Sequence, residues 1–414
     1  MSLNPIKNLK FLKYTNILLL LVSTFLFVFG LVMVFSASNI SAFMRYRQTP
    51  YYFLIRQGIF LLIGLLGFLT VIGVETKNYN KYAWLGLLIC VGLLVFAYFY
   101  GPDINDSRGW INLGSFNLQP SEIVKVVIIA WIATFFEIKK LGVNKLAPSL
   151  FAFMVAFIEA GLVVLANDFG TAAIIVCITY LMYILLPIDL LTKFITLTIV
   201  TVGVFGVLLL YYVADTSSFT RQIGRFSNFG EPCSEEKFYT GGNQVCNSLI
   251  AFNNGNVTGK GLGNSTQKYL YLPESHTDFI YAIIVEETGF VGGCAVLLAY
   301  MIILFLIVRI GSKSHTFRGS MICYGVAIYI FLHIAINLGG ISGIIPLTGV
   351  PLPFLSYGGT FTICLIGGLS MVQRVAVENS LEKKRIETSG ERTESDKKEK
   401  KTKKIKKKAV KKDR

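Results

Sequence analysis

An aspartate, Asp278, lies where a polar loop passes directly into a long apolar run. The loop ends with residues 272–278 (LPESHTD), and the apolar run begins at Phe279. A carboxylate at a boundary between water and lipid is partly desolvated, which raises its pKa towards neutrality and suits it to act as a general base. This junction predicts chemistry on a substrate that is anchored in lipid and presents a water-soluble group.

Two further acidic residues and a lysine occupy comparable positions. Glu122 opens one apolar run and Asp168 comes directly before another. Acidic side chains at a helix start also act as caps, so for each residue alone capping and function are equally good interpretations. Lys125 lies one turn beyond Glu122, and burying a lysine within a membrane costs about 2.5–3.5 kcal/mol. It needs Glu122 or Asp168 as a partner, which favours one shared polar site.

Glu286 and Glu287 follow Asp278 within the same apolar run. In a continuous helix they would lie about 12–14 Å deeper than Asp278, at 1.5 Å per residue. Adjacent carboxylates in a span must face a polar cavity or be protonated. Structural pairing and a direct role in function are equally good interpretations here.

Arg108 and Trp110 precede the run that Glu122 opens. Trp110 fits the aromatic belt at a membrane surface, and beside an arginine it also fits a site for a sugar face and a phosphate. For His276, a role in orienting the loop is a sufficient explanation. The sequence has no zinc-ligand spacing, no Gly-rich phosphate loop and no defensible Ser-His-Asp arrangement, which disfavours an enzyme that uses nucleotide sugars.

The elements that position these residues are predicted from composition. The chain has 414 residues, of which 53% are hydrophobic and 15% charged, and its apolar runs are long enough to cross a bilayer. These features indicate an all-α polytopic membrane protein with about ten transmembrane helices. The spans are predicted at 17–38, 54–74, 82–100, 121–138, 148–166, 170–187, 193–213, 279–308, 319–339 and 357–375.

Lysines predict the orientation of this bundle. They precede the first span, follow the last and occupy alternate short loops, including Lys77, Lys139, Lys140, Lys145 and Lys193. The positive-inside rule places these loops and both termini in the cytoplasm, and the acidic residues described above at the exterior.

One long exterior loop is predicted at 214–278, between the seventh and eighth spans. Its cations, among them Arg221, Arg225 and Lys268, suggest an anionic ligand, although a long loop also needs solubilising residues. Cys233 and Cys246 lie in this loop, and an oxidising exterior favours a disulfide between them over two free thiols.

Three parts of the chain are predicted: a cytoplasmic N-terminus at 1–16, the transmembrane domain at 17–375 and a tail at 376–414. From Lys383 onwards the tail has 16 Lys and Arg against 6 Asp and Glu, a net charge of +10. With almost no apolar residues it is predicted to be a disordered cytoplasmic tail that is attracted to anionic lipids. Nucleic-acid binding is disfavoured because no aromatic residues are interleaved with the lysines.

Several motifs together resemble the SEDS family, the FtsW/RodA membrane glycosyltransferases that polymerise bacterial peptidoglycan. The motifs keep the family order and lie at residues 30–38 (GLVMVFSAS), 119–125 (QPSEIVK), 168–171 (DFGT), 272–278 and 346–359. Residues 261–268 (GLGNSTQK), followed by 271–274 (YLPE), are more similar to the cell-division branch, FtsW, than to the elongation branch, RodA.

The resemblance implies a ten-helix SEDS fold and the use of lipid II. Asp278 matches the family's essential aspartate and proposed base, whereas Glu122, Lys125 and Asp168 match polar residues of its central cavity. Trp110 matches a tryptophan needed for activity. One departure is that Arg108 is followed by glycine, where the family often has two adjacent basic residues.

The same resemblance leads us to expect an inverting transferase that acts on an undecaprenyl-diphosphate donor. Arg108, Lys125, Lys268 or a divalent cation (Mg²⁺ or Mn²⁺) would neutralise the leaving diphosphate. Expected partners are the nascent glycan strand, a class B penicillin-binding protein and other membrane proteins of the division septum. A lipid II flippase, a scaffold, and an elongation or sporulation polymerase are the alternatives.

Overall fold

The structure is a computed structural model that describes residues 8–103, 107–114, 116–138, 146–214, 231–235, 238 and 242–410. Of the residues named above, Lys139, Lys140, Lys145, Arg221 and Arg225 lie outside the described residues.

Helices dominate the described chain, and the only described strands form a two-stranded antiparallel sheet. The helices are α1 (Ile17–Met44), α2 (Tyr52–Val71), α3 (Tyr79–Tyr100), α4 (Pro120–Ile138), α5 (Leu146–Leu165), α6 (Phe169–Ile184), α7 (Leu190–Ala214), α8 (Asn243–Gly255), α9 (Ile280–Ser312), α10 (Phe317–Ile341) and α11 (Gly359–Val410). The sheet pairs β1 (Ile111–Asn112) with β2 (Asn117–Leu118), directly before α4.

Each predicted span coincides with one of these helices, and α8 lies in the long loop. Seven helices are long and apolar enough to cross a membrane: α1, α2, α3, α5, α9, α10 and α11. Among the other three, α4 carries Glu122, Lys125 and Glu137, whereas α6 and α7 are apolar. Helix α10 lies at the centre of the core, where Val326, Tyr329 and Ile330 are completely buried.

Helix α9 is interrupted at Gly289, which has φ 72° and ψ −176°. A Cβ atom at this glycine would lie 2.4 Å from the backbone nitrogen of Gly259, so only glycine fits. Residues 280–287 are enclosed by protein, whereas Phe290 and Val291 just beyond the break are exposed. The predicted span is therefore not one continuous helix, and Glu286 and Glu287 lie in the short helical segment before the break.

The last helix does not end near residue 375, where the sequence predicts the end of the transmembrane domain. Asn379 donates to the carbonyl of Ile310 at 3.2 Å, and Ser380 donates to that of Tyr14 at 3.1 Å. The helical backbone then continues to Val410, in contrast to the predicted disorder of the tail from residue 376. Lysine, arginine and glutamate are good helix formers, which explains how a sequence with few apolar residues extends this helix.

Candidate active site

The backbone around Asp278 is held by hydrogen bonds from two other segments. The amide of Asn337 on α10 donates to the carbonyls of Asp278 and Val350, both at 2.7 Å. From the segment before α11, the hydroxyl of Ser356 donates to the carbonyl of Thr277 at 2.6 Å. These contacts fix the end of the long loop against α10 and against the proline-rich turn at 345–355.

The carboxylate of Asp278 is itself left open. It is partly exposed, and it has no hydrogen bond or ion pair with any residue in the described part of the chain. Burial, followed by the negative charge of Glu274, raises the pKa of Asp278 to about 7. The deprotonated form that a general base requires therefore predominates only above about neutral pH.

The proline-rich turn brings Asp168 close to Asp278. A Cβ atom added to Gly349 in the turn would lie 3.4 Å from Oδ2 of Asp278, and one added to Gly170 would lie 3.2 Å from the carbonyl of Thr348. Asp168 caps α6 by accepting from the amide of Thr171 at 3.1 Å. Its second carboxylate oxygen accepts from the side chain of Gln119, also at 3.1 Å, so Asp168 both caps a helix and lines the site.

Lys125 has its partner within its own helix. Its ammonium lies 2.7 Å from Glu122 and 3.0 Å from Nε2 of His333, and all three side chains are buried. The other ring nitrogen, Nδ1, is 2.8 Å from the carbonyl of Tyr329, which can only accept. Nδ1 therefore carries the proton and Nε2 accepts from Lys125. His333 was missed from the sequence, although a histidine inside a predicted span was a signal for it.

Glu286 and Glu287 hold the loop before Asp278 against the start of α9. Glu286 accepts from Ser265 at 2.5 Å, Thr266 at 2.7 Å and Lys260 at 3.0 Å. Glu287 accepts from Ser36 at 2.7 Å and from Lys268 at 3.0 Å. The structure therefore favours pairing over a direct role for both carboxylates. We call this set of contacts, made by Glu286 and Glu287 with residues 260–268 and Ser36, the loop clamp.

Two residues predicted to bind substrate are enclosed by protein instead. Lys268 is 1% exposed, and its ammonium is used by Glu287, Ser36 and the carbonyl of Gly263. His276 is also buried, with its ring centroid 4.2 Å from that of Phe53. Burial, followed by the charge of Arg45, lowers the pKa of His276 to about 4, so its ring is neutral. Lys268 and His276 therefore help to shape the loop, and their role in binding substrate stays a prediction.

Arg108 and Trp110 lie at the edge of the site. The backbone of Arg108 donates to the carbonyl of Ala166, beside Asp168, at 3.1 Å, and its exposed guanidinium is 3.6 Å from Asp103. Trp110 is partly exposed. In the long loop, Cys233 and Cys246 form a disulfide with Cα atoms 5.0 Å apart.

Few side chains in the described ranges could bind a divalent cation. No group of three or more His, Cys, Asp or Glu side chains in the described ranges could hold a metal. Mg²⁺ commonly binds through one or two carboxylates together with substrate phosphates. Asp278 and Asp168 could supply those carboxylates, and a bound cation would add Lewis-acid stabilisation of a leaving diphosphate.

The comparison with protein families is decisive because the match covers most of the chain. Residues 16–381 match the model of the family described as cell cycle protein, which comprises FtsW, RodA and SpoVE. The chain belongs to this family. The helices and the site described above therefore form a SEDS fold.

Curated relatives cover both the division and the sporulation members of this family. The chain is 34% identical over 89% of its length to "Probable peptidoglycan glycosyltransferase FtsW" of Marinomonas mediterranea, and covers 89% of that protein. In Bacillus subtilis, the protein of the same name is 33% identical, with 91% of this chain and 95% of that protein covered. Stage V sporulation protein E of B. subtilis is 32% identical, with coverages of 87% and 97%.

Solved structures share the fold. A chain from a structure of a peptidoglycan synthase complex, which addresses the coordination of polymerization and crosslinking, superposes with a TM-score of 0.68 at 20% identity. The match covers 88% of this chain and 98% of that one. The rod shape determining protein RodA of Thermus thermophilus gives a TM-score of 0.62 at 21% identity, with coverages of 88% and 97%.

Proposed function

We propose that this protein is a peptidoglycan glycosyltransferase that polymerises lipid II at the outer face of the cytoplasmic membrane. The observation that carries the proposal is Asp278, a carboxylate that has no partner among the described residues and whose pKa of about 7 suits a general base. Family membership and the names of the curated relatives support the same reaction class.

In the proposed reaction, Asp278 takes the proton from the 4-hydroxyl of GlcNAc on the acceptor lipid II. That oxygen forms a bond to the anomeric carbon of MurNAc on the donor strand. The bond from this carbon to the phosphate oxygen breaks, and undecaprenyl diphosphate leaves with the electron pair. A single displacement converts an α-diphosphate into a β-1,4 link, which is inversion and needs only one base.

Purified protein and lipid II provide the test. Wild-type protein is expected to produce glycan strands that separate by length on a gel, and Asp278→Ala protein is expected to produce none above background. Polymer from Asp278→Ala protein at a rate near wild type would refute this assignment. Movement of the headgroup across proteoliposomes without polymer would instead support a flippase, which the pairing of Glu286 and Glu287 in the loop clamp does not favour.

We place the protein in septal wall synthesis, with both termini in the cytoplasm and a class B penicillin-binding protein as its partner. The similarity to a chain of a peptidoglycan synthase complex supports such a partner. The division role rests on residues 261–268 (GLGNSTQK), because identities of 33% and 32% to the two B. subtilis relatives do not separate division from sporulation. Depletion of the protein in its own host is expected to give filaments without septa.

A further inference from the structure

The proposed reaction releases a diphosphate, yet the cations predicted to neutralise it are already paired with carboxylates. Lys125 is held by Glu122, and Lys268 is held by Glu287. Three other cations near the site are also paired in the structure: Arg45 with Glu274, Arg108 with Asp103 and Lys260 with Glu286. The leaving group therefore lacks an obvious cationic partner among the residues that the sequence singled out.

Arg56, in the second turn of α2, has no carboxylate partner within the described residues. Its guanidinium lies 4.5 Å from the ring centroid of Tyr52 and close to the hydroxyl of Tyr357. The side chain is partly exposed. Because guanidinium has five N–H donors, a single tyrosine hydroxyl leaves most of them available to a ligand.

The next residue, Gln57, fixes the position of Arg56 relative to Asp278. The buried side chain of Gln57 donates to Thr362 at 3.0 Å and accepts from the amide of Gly358 at 3.2 Å. The same segment before α11 also holds the Asp278 loop, because the amide of Tyr357 donates to the carbonyl of His276 at 2.9 Å. Arg56 thus lies next to Tyr357, whose backbone is hydrogen-bonded to the loop that ends at Asp278.

We infer that Arg56 is a binding residue for the phosphate groups of a lipid-linked diphosphate. A planar guanidinium matches two phosphate oxygens at once, and stacking on Tyr52 orients it. A charged side chain inside an apolar helix is costly, so an anionic ligand accounts for its presence there. The inference rests on the proposed function and adds a residue to its substrate site.

A membrane phospholipid presents the same phosphate chemistry, so the experiment must separate the two sources. We would measure binding of undecaprenyl diphosphate to Asp278→Asn protein, which does not depend on turnover, in vesicles with and without phosphatidylglycerol. Adding Arg56→Ala is expected to weaken binding by about 10- to 100-fold in both kinds of vesicle. Arg56→Lys keeps the positive charge but lacks the planar guanidinium, and it is expected to give an intermediate loss of binding.

Arg47 provides the matched control, because it is an exposed arginine between α1 and α2 that has no ion pair within the described residues. Arg47→Ala is expected to leave binding within about twofold of the parent. If Arg56→Ala protein is unstable, as judged by thermal unfolding, Tyr357→Phe replaces it, and a threefold or greater loss of binding is expected because the hydroxyl next to Arg56 is then absent.

Two results would overturn the inference. One is unchanged binding in Arg56→Ala protein, or in its replacement Tyr357→Phe. The other is a loss that occurs only with phosphatidylglycerol, which would assign Arg56 to a phospholipid. Failure of the proposed function is seen separately, as absence of polymer from wild-type protein with Asp278 intact.

Discussion

Asp278 and the pair Glu286–Glu287 are only a few residues apart, yet their carboxylates have opposite surroundings. Asp278 precedes α9, is partly exposed and has no partner in the described chain. Glu286 and Glu287 are buried and each accepts several hydrogen bonds, including one from a lysine. An acid that must accept a proton during a reaction is left without donors, whereas acids that must hold a loop are surrounded by them.

The largest expected effect comes from Asp278→Asn. General base catalysis contributes about 10²–10⁴-fold, so the rate of lipid II polymerisation should fall by that factor. Stability should not fall, because a raised pKa means that the charged form of Asp278 is disfavoured by folding, and this penalty is complete above pH 7. Thermal unfolding at pH 8 should give a midpoint equal to or above that of the wild type. A lower midpoint would show that Asp278 is structural.

Glu287→Gln should show the reverse pattern. The change leaves the buried ammonium of Lys268 without its charge partner, and breaking a buried pair costs about 3–5 kcal/mol of stability. Chemical denaturation in detergent would measure the loss. The matched control is the double variant Glu287→Gln with Lys268→Met, which removes both charges and should recover part of the stability. Equal losses in the single and double variants would contradict a coupled pair.

The pH dependence of the reaction sharpens the comparison further. With a pKa of about 7 for Asp278, kcat/KM should reach a plateau above neutral pH and fall to about one tenth of it at pH 6. His276 should not contribute to this fall in kcat/KM below neutral pH, because its pKa is lowered to about 4. Initial rates between pH 5.5 and pH 8.5, with protein integrity checked at each value, would test this. A profile that is flat through neutral pH would exclude Asp278 as the titrating base.

Glu286→Gln should have the smallest effect. Its lysine, Lys260, is about one third exposed, so water can solvate the ammonium when the carboxylate is removed. The neutral donors Ser265 and Thr266 can still bond to a glutamine oxygen. We expect a loss of about 1–3 kcal/mol, measured by the same denaturation. A loss as large as that of Glu287→Gln would mean that Glu286 and Glu287 contribute equally to the stability of the protein.

The sequence predicted most of the helices, because apolar runs are local signals. It also predicted that Lys125 needs an acidic partner, which is Glu122. It did not reveal the break at Gly289, since only contact with Gly259 in the preceding loop requires it.

The sequence also could not show which cations are accessible to a ligand. Lys268 looked available for a ligand, and only the fold shows that Glu287 and Ser36 enclose it. Arg56 was overlooked inside a predicted span, although a charged residue in such a run is itself a signal. The partner of a buried charge is set by residues that are distant in the chain, so spacing alone cannot identify it.

The break at Gly289 has a consequence for how the protein is assembled in the membrane. The part of α9 at 290–312 is about 34 Å long at 1.5 Å per residue, which is enough to cross the bilayer by itself. The preceding residues 280–288 carry two glutamates whose partners come from α1, α8 and the loop at 260–268. We therefore expect the span to insert first and the segment next to Asp278 to be set in place later, when the loop closes over it.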